Sequence, residues 1–208
     1  MRIIAISSPK AVNDEAFLIK ALLKNGVDIV HLRKPRSEFC DSEVRLGSFY
    51  SGTNAIGYIR ALLKDLSAEE RSKIIVHDYY ELYEEFSLKG IHINKNIKTL
   101  PKDYKGFKTR SCHAIEELLK YKEEFDYLFL SPVFDSISKG GYKSTFSSEQ
   151  LLEASKAGVI DDKVVALGGV TINKIPFLKS LNFGGVAMLG AIYKIEALND
   201  LKEIEQYK

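Results

Sequence analysis

Two glycine-ended apolar stretches decide the fold of this chain: V-V-A-L-G-G at residues 164–169 and G-G-V-A-M-L-G at residues 184–190. Each has the length of a buried strand and is followed by a segment with helical spacing. Two such strands, one helical unit apart, are typical of the end of a parallel (β/α) barrel, where the loops after strands seven and eight bind phosphate. Glycine lets a phosphate approach the backbone N–H groups closely. The stretches therefore predict a barrel that holds a phosphorylated small molecule; glycines that only close the barrel are the alternative.

The chain before these stretches alternates strand-like and helix-like segments. Strands are predicted at residues 2–7, 28–33, 74–78, 90–94, 107–112 and 127–132, with the last two opening at Val164 and Gly185. Eight alternations of this kind predict a parallel sheet with right-handed crossovers, closed into a single (β/α)8 barrel. An open doubly wound sheet is the alternative architecture, but no G-x-G-x-x-G follows a predicted strand.

Length and composition predict one barrel domain over residues 1–208. The net charge of +2 gives no reason to expect nucleic acid or an anionic membrane as a partner. No apolar run is long enough to cross a bilayer, and the N-terminal residues indicate a strand rather than a signal peptide, so a cytoplasmic protein is expected. The two cysteines, Cys40 and Cys112, lie far apart and are predicted to be reduced thiols rather than a disulfide or a zinc site.

Polar side chains that could bind ligands or take part in catalysis lie where the predicted strands end, which is where barrel enzymes place their active sites. All four histidines of the chain are among them. The set is His31, Arg33, Lys34, His77, Asp78, His92, Asn94, Ser111, His113 and Ser131. Alternation along a strand puts His31 and Arg33 on one face, and it directs Cys112 away from His113, which predicts a packed thiol. The set indicates a polar mouth, although any single histidine can equally be a hydrogen-bonded structural residue.

Seven segments in a fixed order resemble one known superfamily. They are I-V-H-L-R-K, I-I-V-H-D, G-I-H-I-N, T-R-S-C-H-A-I-E-E, L-S-P-V-F-D-S-I-S-K, V-V-A-L-G-G-V and G-V-A-M-L-G-A-I. Together they are similar to the thiamine phosphate synthases and their sister group, the thiazole tautomerases. The resemblance implies thiamine biosynthesis. Synthases of this group join a hydroxymethylpyrimidine pyrophosphate to a thiazole phosphate with the help of Mg²⁺, whereas tautomerases move protons on a carboxylated thiazole phosphate without a metal.

The resemblance also implies site residues. An anion-binding loop after strand six is implied at Ser136, Ser138 and Lys139, and glycine turns for the thiazole phosphate at Gly168, Gly169 and Gly190. Arg33 matches a substrate-binding arginine, and His31 and His77 occupy positions where synthases carry Gln and Asn. Asp78 matches a magnesium ligand. The long loops at residues 35–54 and 135–147 are candidate lids.

Two departures from the synthase pattern weigh against strong magnesium chemistry. Pro35 stands where synthases have a lysine, and Ile97 stands where they have a second magnesium carboxylate. Asp78 alone contributes little to a Mg²⁺ site, and each lost charge costs transition-state stabilisation. The segment S-C-H-A-I-E-E resembles the region around the acid/base histidine of the tautomerases, which implies that role for His113, and imidazole titrates near neutral pH. The resemblance and the two departures together favour a metal-independent, tautomerase-like enzyme.

Two alternatives stay open. One is a thiamine phosphate synthase with a weakened Mg²⁺ site at Asp78, which would also bind the pyrimidine pyrophosphate. The other is a barrel that binds thiamine precursors without turning them over.

Overall fold

The computed structural model describes residues 1–35, 54–94, 100, 102–135, 144–193 and 207. Eight parallel strands follow one another around a closed barrel in chain order. They are β1 (Arg2–Ile6), β2 (Ile29–Leu32), β3 (Ile74–His77), β4 (Gly90–Ile93), β5 (Phe107–Cys112), β6 (Tyr127–Leu130), β7 (Val164–Leu167) and β8 (Gly185–Met188). The predicted (β/α)8 barrel is confirmed, with strand boundaries one or two residues shorter than expected in several places.

Pairing of β1 with both β2 and β8 closes the barrel. Ile4 lies opposite Ile29 on one side and Ala187 on the other. All residues of β2, β3, β6 and β8 are buried, because a parallel sheet in a barrel is covered on both faces. Closure leaves these eight strands without an edge.

Seven α-helices surround the strands within the described ranges. They are α1 (Glu15–Lys24), α2 (Ala55–Lys64), α3 (Ala68–Arg71), α4 (Glu81–Phe86), α5 (Ile115–Tyr121), α6 (Ser148–Lys156) and α7 (Ile175–Ser180). The short α3 was not expected from the periodicity. It begins with a capping box between Ser67 and Glu70, a local signal that apolar spacing does not detect. None of these helices is long and apolar enough to span a bilayer.

The barrel has two separate apolar cores. The larger lies between strands and helices and includes helix residues such as Leu18 and Ile59. The smaller contains strand residues only, which places it inside the barrel; its members are Ile4, Ile6, Ile29, Ile75, Tyr127, Phe129, Val165 and Ala187. Apart from Ile29 and Ile75, these lie on β1 and β6 to β8, so the interior beside β2 to β5 is left to other residue types.

Candidate functional site

Three histidine rings fill that remaining space inside the barrel. His31 and His77 each lie two residues after an inner-core isoleucine, so strand alternation turns their rings into the interior. His92 lies opposite His77 across the β3–β4 pair, and the two rings stack with centroids 4.3 Å apart. We call His31, His77 and His92 the histidine triad. Their exposures are 0%, 7% and 5%, so the triad is the nearly enclosed floor of the site.

His31 is the innermost member and bridges two neighbours. Its Nδ1 is hydrogen-bonded to Nε2 of His77 at 3.0 Å, and its Nε2 to the hydroxyl of Tyr127 at 2.5 Å. Burial lowers the pKa of both histidines well below 6.5, and burial raises the pKa of Tyr127. The imidazoles are therefore neutral at pH 7, and each can donate one hydrogen bond and accept one.

His92 is held from the β5 side by two hydroxyls. Its Nδ1 is hydrogen-bonded to Oγ1 of Thr109 at 2.9 Å and its Nε2 to Oγ of Ser111 at 3.2 Å. Burial lowers the pKa of His92 to about 3, although the nearby Asp78 charge acts in the opposite direction. The ring is thus fixed and uncharged.

Asp78 stands at the end of β3 in a strained conformation. Its φ of 67° lies in the left-handed region, which costs a non-glycine residue about 1–2 kcal/mol. Asn94, which follows β4, donates from Nδ2 to Oδ1 of Asp78 at 2.6 Å. Mg²⁺ is commonly held by one or two carboxylates together with substrate phosphates. Asp78 therefore fits a magnesium ion that arrives with a phosphorylated substrate.

The two cations that follow β2 point to different places. The charge of Arg33 disfavours protonation of His77 and His92, which puts its guanidinium in electrostatic reach of the triad. Lys34 is completely enclosed, and its Nζ donates to Oε1 of Glu15 at 2.7 Å. Lys34 was a candidate mouth residue by position in the sequence; in the structure it belongs to a buried ion pair instead.

Glu15 is the centre of this buried network. It also accepts hydrogen bonds from Tyr58 at 2.5 Å and from Tyr193 at 2.6 Å. The network ties α1 and α2 to the segments that follow β2 and β8. Sequence reasoning missed it, although a glutamate in line with Leu18 and Leu22 on the buried face of α1 was a signal.

His113 lies apart from the triad, exposed, directly after β5. Its Nδ1 donates to the carbonyl oxygen of Ser131 at 2.8 Å, which leaves Nε2 of the neutral ring as an acceptor. The neighbouring Cys112 is buried and free, and burial together with Glu117 raises its pKa to about 11. The predicted packed thiol at Cys112 is confirmed.

The glycine turn after β7 has a structural cause of its own. Gly168 and Gly169 have φ values of 90° and 62°. A Cβ on Gly168 would lie 2.7 Å from Cα of Pro132, and one on Gly169 would collide with the carbonyl oxygen of Asp135. Gly190 lies in the turn after the neighbouring β8, at the same end of the barrel. Close packing against the segment after β6 therefore explains the glycines after β7, and phosphate binding there stays a prediction.

Three expected site residues, Ser136, Ser138 and Lys139, fall outside the described ranges. So do Ile97, which replaces a magnesium carboxylate, the predicted reduced thiol Cys40 and most of the two candidate lids.

Comparisons of the sequence with known proteins indicate one family. A family model described as thiamine monophosphate synthase matches residues 3–192. Thiamine-phosphate synthase of Lactococcus lactis is 23% identical over 95% of this chain and 90% of its own length, and that of Methanobrevibacter smithii is 24% identical over 93% and 90%. The crystal structure of thiamine phosphate pyrophosphorylase from Bacteroides thetaiotaomicron superimposes with a TM-score of 0.81 at 32% identity, covering 100% of this chain and 97% of that one. The chain belongs to the thiamine monophosphate synthase family.

Proposed function

We propose that this protein is a thiamine phosphate synthase, which joins hydroxymethylpyrimidine pyrophosphate to thiazole phosphate and releases pyrophosphate. The observation that carries the proposal is Asp78, a carboxylate kept in the left-handed region and hydrogen-bonded to Asn94 where β3 ends. Strain of this kind at the mouth of a barrel is a common mark of function. The names of the relatives support the same activity. The sequence alone favoured the tautomerase, and the comparisons support the synthase alternative better.

Asp78 and Arg33 would act on the pyrophosphate end of the substrate. Asp78 would hold a Mg²⁺ ion shared with the pyrophosphate, and the ion would neutralise the charge that develops as pyrophosphate leaves. Arg33 supplies a permanent positive charge beside the triad, and its backbone N–H is anchored to Oγ of Ser7 at 2.9 Å. This charge would compensate in part for Pro35 and Ile97, which cannot contribute any.

The remaining proposed contacts divide between the two substrates. His77, at the exposed side of the triad, would contact the pyrimidine, and His31, whose Nδ1 lies 3.0 Å from Nε2 of His77, would hold that ring in place from below. Backbone N–H groups at Gly168, Gly169 and Gly190 would bind the thiazole phosphate. Ser136, Ser138 and Lys139 would bind the pyrophosphate, as the resemblance implies.

The test is a coupling assay with both substrates, in Mg²⁺ and in EDTA, with thiamine phosphate measured by chromatography. We expect magnesium-dependent product, and a loss of about 10²–10³-fold in Asp78→Asn. Asp14→Asn is the matched control, because Asp14 also has a positive φ and lies exposed before α1. Equal losses in both variants, or product formation that EDTA does not reduce, would contradict the proposal.

A tautomerase is the second candidate, and the geometry of His113 favours it. The Nδ1–H to Ser131 hydrogen bond presents the basic Nε2 of an exposed ring, as a proton shuttle requires. A protein that aromatises the carboxylated thiazole phosphate in EDTA and makes no thiamine phosphate would be this enzyme. A protein that binds either precursor and performs neither reaction would be the non-catalytic binder.

A further inference from the structure

The histidine triad has the composition and spacing of a transition-metal site. We infer that His31, His77 and His92 bind one divalent ion of the zinc class. One nitrogen from each ring can be chosen so that all three lie within 4.8 Å of one another, the one such group of three potential ligands among the described residues. Nδ1 of His31 and Nε2 of His77 are 3.0 Å apart. Two nitrogens on a tetrahedral zinc ion are separated by about 3.3 Å, so this pair is close to ligand spacing already.

The outer nitrogens of two rings are held as they are in built metal sites. When Nδ1 of His31 faces the ion, its Nε2 is hydrogen-bonded to the hydroxyl of Tyr127. When Nε2 of His92 faces the ion, its Nδ1 is hydrogen-bonded to Oγ1 of Thr109. Metal-binding histidines typically donate their second N–H to a protein oxygen, which fixes the tautomer and the ring orientation. The hydroxyls of Tyr127 and Thr109 are placed for that role.

Ion binding needs no net loss of protons from the triad. Three metal–nitrogen bonds form, and two hydrogen bonds break: the one between His31 and His77 and the one between His92 and Ser111. Each neutral ring keeps one N–H. It is carried by Nε2 of His31, by Nδ1 of His92 and, after a tautomer shift, by Nδ1 of His77.

The ligand set selects the class of metal. Three neutral imidazoles suit Zn²⁺, Co²⁺ and Ni²⁺, whereas Mg²⁺ prefers oxygen ligands. The triad is thus distinct in chemistry from the carboxylate of Asp78. The negative charge of Asp78 favours a positive charge at His92, whereas the charges of Arg33 and Arg110 disfavour one there. The exposed part of the triad belongs to His77 and His92, so the ion enters and completes its coordination from that side.

Cobalt is the probe, because tetrahedral Co²⁺ with nitrogen ligands absorbs visible light. Untagged, EDTA-treated protein is titrated with CoCl₂, and the same absorption is then displaced with ZnCl₂. We expect one Co²⁺ per chain, displacement by Zn²⁺ and no displacement by excess MgCl₂. His113→Asn is the matched control, because it removes the fourth histidine of the chain, which lies outside the triad, and it should bind Co²⁺ as the wild type does.

Isosteric variants test the geometry without emptying the core. Tyr127→Phe and Thr109→Val each remove one anchoring hydroxyl and should weaken Co²⁺ binding by about 10–100-fold. His92→Asn should abolish the visible band. If His92→Asn fails to fold, the Co²⁺ affinities of Tyr127→Phe and Thr109→Val relative to the wild type decide.

Three results would overturn the inference: no visible band at saturating Co²⁺, equal affinity in Tyr127→Phe, Thr109→Val and wild type, or displacement of Co²⁺ by Mg²⁺. The measurement is independent of turnover. A protein that binds Co²⁺ and makes no thiamine phosphate would contradict the proposed function alone.

Discussion

Nζ of Lys34 lies 2.7 Å from Oε1 of Glu15, and both side chains are almost completely enclosed. The ammonium also donates to the backbone carbonyls of Ser8 and Lys10, so it has three close acceptors. Removal of one member of such a pair leaves an uncompensated buried charge, which is strongly destabilising. The pair connects α1 to the segments after β1 and β2.

We therefore predict that Lys34→Met lowers the free energy of unfolding by about 3–5 kcal/mol, measured by urea denaturation. Lys73→Met is the control, because Lys73 pairs with Glu69 at the surface, where a pair contributes roughly 1 kcal/mol or less. The double variant Lys34→Met/Glu15→Leu should recover part of the loss, since no charge is left unpaired. Similar losses for Lys34→Met and Lys73→Met would show that the buried pair has no special role.

The glycine turn after β7 gives a second stability prediction. Gly168→Ala should destabilise more than Gly158→Ala, although both glycines have positive φ. Both alanines would cost roughly 1 kcal/mol because a residue with a Cβ is strained at positive φ. Of the two, only Gly168 would also place its new Cβ against backbone, 2.7 Å from Cα of Pro132. Nothing lies within 4 Å of a Cβ on Gly158. Thermal unfolding of the two variants measures the difference, and equal shifts in melting temperature would remove the packing explanation.

The fold could be predicted from the sequence because most strands are short buried apolar runs; β5, with Lys108 and Arg110, is the exception. Parallel barrel strands need no alternation, and turn glycines such as Gly168 mark where they end. The location of the polar side chains at the barrel mouth could be predicted too, because residues that directly follow parallel strands lie at the same end of the barrel. His77, Asp78 and His113 all follow this rule.

The contacts of those residues could not be predicted, because they depend on register between strands. His77 meets His92 through the β3–β4 pairing, and no spacing within the chain encodes that pairing. The opposite directions of Arg33 and Lys34 follow from alternation, but the partner of Lys34 is a glutamate 19 positions earlier in α1. Likewise, the glycines of the β7 turn suggested a ligand, and the structure adds the backbone of the segment after β6 as a sufficient cause.

The buried histidines predict acid sensitivity. Because burial lowers their folded-state pKa values, the unfolded chain binds more protons than the folded chain below about pH 6.5. Stability is therefore full above that pH and decreases as the pH falls toward the folded pKa of His92, about 3. At pH 5, His92 alone should account for a loss of about 2 kcal/mol.

Urea denaturation in EDTA between pH 7.5 and 4.5 measures this dependence. His92→Asn should flatten the curve if it folds. An unfolding free energy that stays constant from pH 7 to pH 5 in the wild type would mean that the triad is hydrated and charged in solution.

The last prediction separates the two candidate chemistries at His113. If the protein is a synthase, His113→Asn should keep the coupling rate within about tenfold, because stabilisation of the departing pyrophosphate depends on charge near Asp78 rather than on this imidazole. If it is a tautomerase, the same variant should lose about 10²–10⁴-fold in thiazole aromatisation, since Nε2 is the atom that would take up and return the transferred proton. Thiamine phosphate formation and the NMR signals of the aromatic thiazole are followed in parallel. Ser131 holds the ring through its backbone carbonyl, so Ser131→Ala should keep the 2.8 Å hydrogen bond and serves as the control. A variant that loses coupling by more than about 100-fold while Ser131→Ala keeps it would make His113 part of the synthase chemistry and would contradict its assignment to proton transfer on the thiazole alone.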